Sequence, residues 1–157
     1  MPHLDAAYSL ARWLSRSPVD ADDIVQEAML RAFRAFDAAR METVRPWLMA
    51  IVRNCFHDHK VKARRHEPAG EAAFEQLVFD GPSPEAAAES ASARRRLDRM
   101  LACLPGDYRE VLLLREMEDM SYREISEAID IPVGTVMSRL ARARALLKDK
   151  WLAEEDQ

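Results

Sequence analysis

The chain has 157 residues, 48% of them hydrophobic and 32% charged, with a formal net charge of −4. That suffices for one ordinary domain or two small ones, and no apolar run is long enough to span a membrane, so no membrane insertion is expected. Only 4 glycines and few β-branched runs argue against sheet and predict an all-α chain.

Leu4 to Ser15 reads as a first helix, with Leu4, Ala7, Tyr8, Ala11 and Leu14 on one face. Its lead-in carries no basic segment followed by an apolar core, so no signal peptide and a cytoplasmic protein are expected. Ser17-Pro18 breaks the helix. Asp20 or Asp22 can cap the next one, which runs to about Asp37. Ile24, Val25, Ala28, Met29, Ala32, Phe33 and Phe36 form its core stripe. Asp22, Asp23, Gln26, Glu27, Arg31 and Arg34 cover its other face. Ala38 to Thr43 is a loop. A third helix spans Arg45 to about Arg65, with Pro46 in its first turn and Trp47, Leu48, Ile51, Val52, Cys55 and Phe56 on a wide apolar face. It ends in the dense basic tip KVKARRH.

Glu67 to Ser92 has no basic residue and six acidic ones, and reads as a flexible acidic linker. A helix starts near Ser83 and continues to Cys103, with Leu97, Met100, Leu101 and Leu104 inward. Pro105 opens another, to about Glu118, that buries Tyr108, Val111, Leu112 and Leu114. Both cysteines, Cys55 and Cys103, read as buried free thiols.

Ser121 to Lys150 carries the strongest local signal. Ser121 followed by Glu124 is a capping box, and Ile125, Ala128 and Ile129 form one apolar face. Asp130-Ile131-Pro132 ends that helix. Val136, Leu140, Ala143 and Leu147 point the last helix at a core, while Ser138, Arg139, Arg142, Arg144 and Lys148 lie on its other faces. From Val133 to Lys150 there are five Lys/Arg against Asp149 alone. A short helix, a turn and a basic second helix form the pattern of a DNA-binding helix-turn-helix, though an ordinary hairpin with solvated arginines shares it. The overall acidity hides a segregation: net +3 over residues 1–66, −6 over 67–93 and −1 over 94–157.

Nothing in the sequence requires catalysis. His57 and His59 lie two apart on a helix and do not face one way, so zinc is not expected, nor is any cofactor. No glycine-rich phosphate loop and no nucleophile–base set is found, so the chain is not expected to be an enzyme.

Two segments resemble a known family. DADDIVQEAMLRAFRAFD followed by RPWLMAIVRNCFHDHKVKARR is similar to the sigma-2 domain of the extracytoplasmic-function (ECF) sigma factors. LPGDYREVLLLREMEDMSYREISEAIDIPVGTVMSRLARARALL is similar to their sigma-4 domain. The resemblance implies an all-α chain of two small helical domains, a sigma-2 bundle over 1–66 and a four-helix sigma-4 domain with the helix-turn-helix over 93–157, joined by the linker 67–92. It implies that Asp22, Asp23, Gln26, Glu27 and Arg31 bind the β′ clamp helices of core RNA polymerase, with the β flap as a further contact. It assigns Arg40, Arg45, Asn54, His57, Lys60, Val61 and Arg64 to the −10 element, whose strands the loop before the third helix holds apart. Thr135, Met137, Ser138, Arg139 and Arg142 fall to −35 contacts, with Arg144 and Lys148 near the backbone. Met137 stands where a Lys or Arg is usual. An anti-sigma factor is the regulator the resemblance implies. The alternative is a helix-turn-helix regulator with an N-terminal interaction domain; the DDIVQE helix and the basic helix after it argue against that.

Overall fold

A computed structural model describes residues 3–38, 44–66 and 84–157. The described residues are organised by seven α-helices and one 3-10 turn, as an all-α chain requires. They are α1 (Leu4–Ser15), α2 (Pro18–Ala35), α3 (Val44–His66), α4 (Pro84–Ala102), α5 (Gly106–Glu116), α6 (Tyr122–Ile129) and α7 (Val133–Glu155), with the 3-10 turn at Phe36–Ala38.

The first three helices pack on one another around Leu10, Leu14, Ile24, Ala28, Leu48, Met49 and Val52. Arg16 takes a left-handed conformation at φ 60 and ends α1. Ser17, not Asp20 or Asp22, then caps α2: its Oγ accepts from Asp20 N at 3.3 Å, and Pro18 occupies the first turn. The dipeptide that reads as a breaker is also the next helix's start, because Pro lacks only a donor that a first turn leaves unpaired. Phe33 and Phe36 correct the expected core stripe: they are 80% and 48% exposed. A stripe as wide as the one drawn on α2 exceeds what two neighbouring helices cover. Leu4 and Tyr8 on α1 and Leu97 on α4 are likewise exposed rather than core.

In the second unit α5 and α6 pack against α7, and α4 lies along α7. Val111, Leu112, Leu113 and Leu114 are all buried; four consecutive residues span the whole circumference of a helix, so the middle of α5 is enclosed on every side. Cys55 is buried, whereas Cys103 is exposed, since α4 ends at Ala102 and the chain turns outward before Leu104. The last helix also runs beyond Lys150, to Glu155. Arg96 of α4 secures this extension, its guanidinium 3.6 Å from the Trp151 ring centre and its Nε donating to Glu154 Oε2 at 2.8 Å. The linker over 67–92 lies largely outside the described residues, and its end from Pro84 is already α4.

The two units touch. α3 packs on α6, α1 packs on α5, and their buried side chains form one continuous apolar core.

Candidate nucleic-acid and partner interfaces

The helix-turn-helix is built as its caps predict. Ser121 Oγ accepts from Glu124 N at 3.1 Å, and Glu124 Oε2 accepts from Ser121 N at 2.7 Å. Asp130 adopts the left-handed region at φ 56, which closes α6, and Ser126 Oγ donates to Ile131 O across the turn. Pro132 N-caps α7 in extended conformation. Ile125, Ile129, Val136, Leu140 and Ala143 are buried, and each large aliphatic among them contributes about 1.5–3 kcal/mol. That packing fixes which side of α7 looks outward.

Met137 is 53% exposed, and Ser138, Arg142, Arg144 and Lys148 are exposed with it; Thr135 and Arg139 are half-buried. The cations are held by groups on α5. Arg142 Nη1 donates to Tyr108 Oη at 3.3 Å, Arg144 Nη2 to Glu116 Oε1 at 2.8 Å, and Arg139 Nη2 stands 3.9 Å from Asp107 Oδ2. The Tyr108 hydroxyl raises the Arg142 pKa, and Glu116 does the same for Arg144. Exposed contacts of this kind are weak in water, so a phosphate or a base edge can displace them.

On α3, Asn54, Val61 and Arg64 are exposed, and Lys60 Nζ lies 6.0 Å from the Phe56 ring centre. Two residues assigned to the same face are engaged elsewhere. His57 Nε2 lies 2.8 Å from Glu110 Oε1, and Arg45 Nη2 donates to Glu118 Oε2 at 3.3 Å. Arg53, which the sequence reading passed over, donates from Nε to the same Glu110 oxygen at 2.8 Å. Glu110 and Glu118 are buried at 3% and 2% exposure, and neither was anticipated. The signal available for Glu110 was the VLLL run beside it: the enclosed middle of α5 leaves a carboxylate there no solvent face, unlike Asp107 and Glu116 at its ends. Arg40 lies outside the described residues.

On α2, Asp22, Asp23, Gln26 and Glu27 are exposed. Arg31 donates from Nε to Glu27 Oε1 and from Nη1 to Asp58 Oδ2, both at 2.8 Å, which anchors the face to α3. These two acceptors raise the Arg31 pKa, and Arg31 in turn lowers that of Glu27. Leu30, 52% exposed, and Phe33 continue the same stripe at helical spacing. A run from Asp23 through Glu27 and Leu30 to Phe33 is polar at one end and apolar at the other, the make-up of a protein-binding surface. A cavity of about 580 Å³ opens beside it between α1, α2 and α4, bordered by Tyr8, Trp13, Asp22 and Gln26. Among the described residues no helix is long and apolar enough to cross a membrane.

The family model described as Sigma-70 region 2 matches residues 1–66, and that described as Sigma-70, region 4 matches residues 94–147. The chain is 35% identical over 140 residues to the ECF RNA polymerase sigma-E factor of Escherichia coli K12, covering 83% of this chain and 73% of that protein. It is 32% identical over 148 residues to the ECF RNA polymerase sigma factor SigE of Mycolicibacterium smegmatis, where the match spans 94% of this chain but 58% of the relative. Its fold is similar to the sigma factor RpoE of Bartonella quintana, solved in complex with the anti-sigma factor NepR, with a TM-score of 0.74, 26% identity and coverage of 93% of this chain and 89% of that one. It is also similar to CnrH, solved in complex with the cytosolic domain of CnrY, with a TM-score of 0.69, 26% identity and coverage of 99% and 85%. Matches to both sigma-70 regions in order, together with a relative more than 30% identical over most of its length, show that the chain belongs to the ECF RNA polymerase sigma factors.

Proposed function

We propose that the chain acts as a dissociable sigma subunit that binds core RNA polymerase and directs initiation at promoters with a −35 and a −10 element. Residues 1–66 form the polymerase-docking and −10 unit, 67–92 the linker, and 93–157 the −35 unit. Asp22, Asp23, Gln26, Glu27 and Arg31 engage the β′ clamp helices, and Leu30 and Phe33 supply the apolar part of that contact. Asn54, Lys60, Val61 and Arg64, with Arg45 and His57 once released, meet the −10 strand, and Arg40 belongs to the same set. Thr135, Met137, Ser138, Arg139 and Arg142 lie in the major groove at −35 while Arg144 and Lys148 hold the flanking phosphates. The second unit also meets the β flap. An anti-sigma factor covers these surfaces when transcription is off, as the two solved relatives are each bound by a partner.

The observation that carries this reading is the pairing, within one member of this family, of an exposed mixed polar and apolar stripe on α2 with exposed cationic faces on α3 and α7. A regulator that only binds DNA needs the last of these alone. Run-off transcription with core polymerase on a promoter library tests it: selective initiation that depends on the added chain is expected.

A further inference from the structure

Glu110 sits on α5, in the second unit, yet the partners of its carboxylate are on α3, in the first. One oxygen, Oε1, accepts from Arg53 Nε and lies against His57 Nε2, each at 2.8 Å. A carboxylate this deeply buried is tolerated only when charged donors satisfy it, and here those donors come from across the junction. Arg45 and Glu118 add a second bridge at 3.3 Å on the same flank of α3. The acceptor chemistry matters. A carboxylate taking a short bond from a guanidinium offers what a phosphate oxygen offers, so Glu110 holds the place on α3 that a nucleic-acid backbone would hold.

We propose that Glu110 is an internal competitor for DNA: in the free chain it occupies the Arg53 guanidinium and the His57 ring, and the two helical units must part before α3 can engage a strand. The inference rests on the sigma-factor reading above. The closed form is poised rather than locked. Burial holds the Glu118 carboxyl above its ordinary range more strongly than Arg45 lowers it, so Glu118 gains hydration when the units separate. Glu110, with two partners on α3 at 2.8 Å against the one at 3.3 Å for Glu118, is the closer electrostatic tie; with the shared apolar core it holds the closed form, and docking of α2 on a partner supplies the bias toward opening. Sequestration of the −10 face then needs no second protein.

The test uses the full chain, its Glu110→Gln variant, which keeps shape but removes the charge, and an Arg53→Glu variant, which sets a like charge against Glu110. Small-angle scattering reads the separation of the units without DNA. Fluorescence anisotropy reads binding of a labelled single-stranded deoxyoligonucleotide carrying a −10 sequence, and run-off transcription is measured in parallel. Both variants are expected to show a larger radius of gyration than the parent with unchanged far-UV circular dichroism. Glu110→Gln is expected to bind the oligonucleotide about tenfold more tightly, because apparent affinity scales with the open fraction. If the parent chain initiates with core polymerase but Glu110→Gln leaves either dimension or affinity unchanged, the competitor role is overturned. Failure of the parent to initiate would strike the sigma reading instead, while scattering still reports on the closure.

Discussion

Arg144 on the last helix reaches Glu116 at the end of α5, Nη2 to Oε1 at 2.8 Å, so a side chain proposed for the DNA backbone is tethered to an acid of its own unit. The pair is exposed on both sides and weak in water. It keeps the arginine oriented until a phosphate replaces the carboxylate. Arg144→Ala is expected to weaken duplex binding about equally across sequences and to reduce the slope of log affinity against log salt by about one. Glu116→Gln should strengthen binding a few-fold at low salt, with no change in sequence preference. Anisotropy titrations of the full chain on −35 duplexes at several salt concentrations check both.

As proposed −35 contacts, Arg142 and Met137 offer a base different chemistry. Arg142 has only the Tyr108 hydroxyl to leave, so its fork is available to a base edge. Arg142→Ala should lower discrimination at one base position roughly tenfold or more and leave the other positions intact. Met137 stands exposed on the same surface, with no charge to offer. Met137→Arg should raise affinity and steepen the salt dependence, without unfolding the helix. Selection of binding sites from randomised −35 duplexes separates the two effects.

Phe33 is 80% exposed, so packing does not explain it. Phe33→Ala is expected to change stability by less than about 0.5 kcal/mol but to weaken polymerase binding by about 2 kcal/mol or more, as for an aromatic anchor at the centre of an interface. Ile24→Ala, about two and a half turns back on the buried side of the same helix, should do the reverse and cost about 2–5 kcal/mol of stability. Thermal melts alongside pull-down by core polymerase distinguish an anchor from a core residue.

Much of this was legible in the sequence. Ser121 and Glu124 form the capping box that their spacing predicts, Pro132 ends the turn, and the buried face of α7 is the one its periodicity marks. Caps and periodicity are local, so they survive folding unchanged. What escaped was set by tertiary contacts. Phe33 and Phe36 fit a core stripe by spacing, but among the described residues the helices packed on α2, α1 and α3, leave both exposed. Arg53, Glu110 and Glu118 carry no local mark of their pairing, because Arg53 and Glu110, like Arg45 and Glu118, are more than forty residues apart along the chain. The extension of α7 to Glu155 depends on Arg96 stacking on Trp151, a pairing between residues distant in sequence. The family resemblance assigns Arg45 and His57 to DNA, and nothing local to them hints that the second unit holds them.

Glu118 predicts a pH dependence of unusual sign. Burial raises its pKa above the ordinary 4.5, so the folded, closed chain binds this proton more tightly than the unfolded one. Its contribution to stability is greatest below the unfolded value and is lost as pH rises through the folded one. Glu118→Gln, which keeps an acceptor for Arg45 without the charge, should therefore flatten the fall in melting temperature as pH rises above 4.5, and leave the variant more stable than the parent near neutrality. Melting curves of both proteins from acid to neutral pH provide the check.

The central claim is that one chain joins a polymerase-docking stripe on α2 to DNA-reading faces on α3 and α7. The most direct measurement is promoter-specific initiation by core RNA polymerase reconstituted with the purified chain, with Phe33→Ala and Arg142→Ala run beside it. Selective run-off transcripts are expected with the parent chain, little product at any promoter with Phe33→Ala, and product with relaxed −35 preference from Arg142→Ala. A folded parent chain that neither associates with core polymerase nor yields a promoter-dependent transcript would contradict the account.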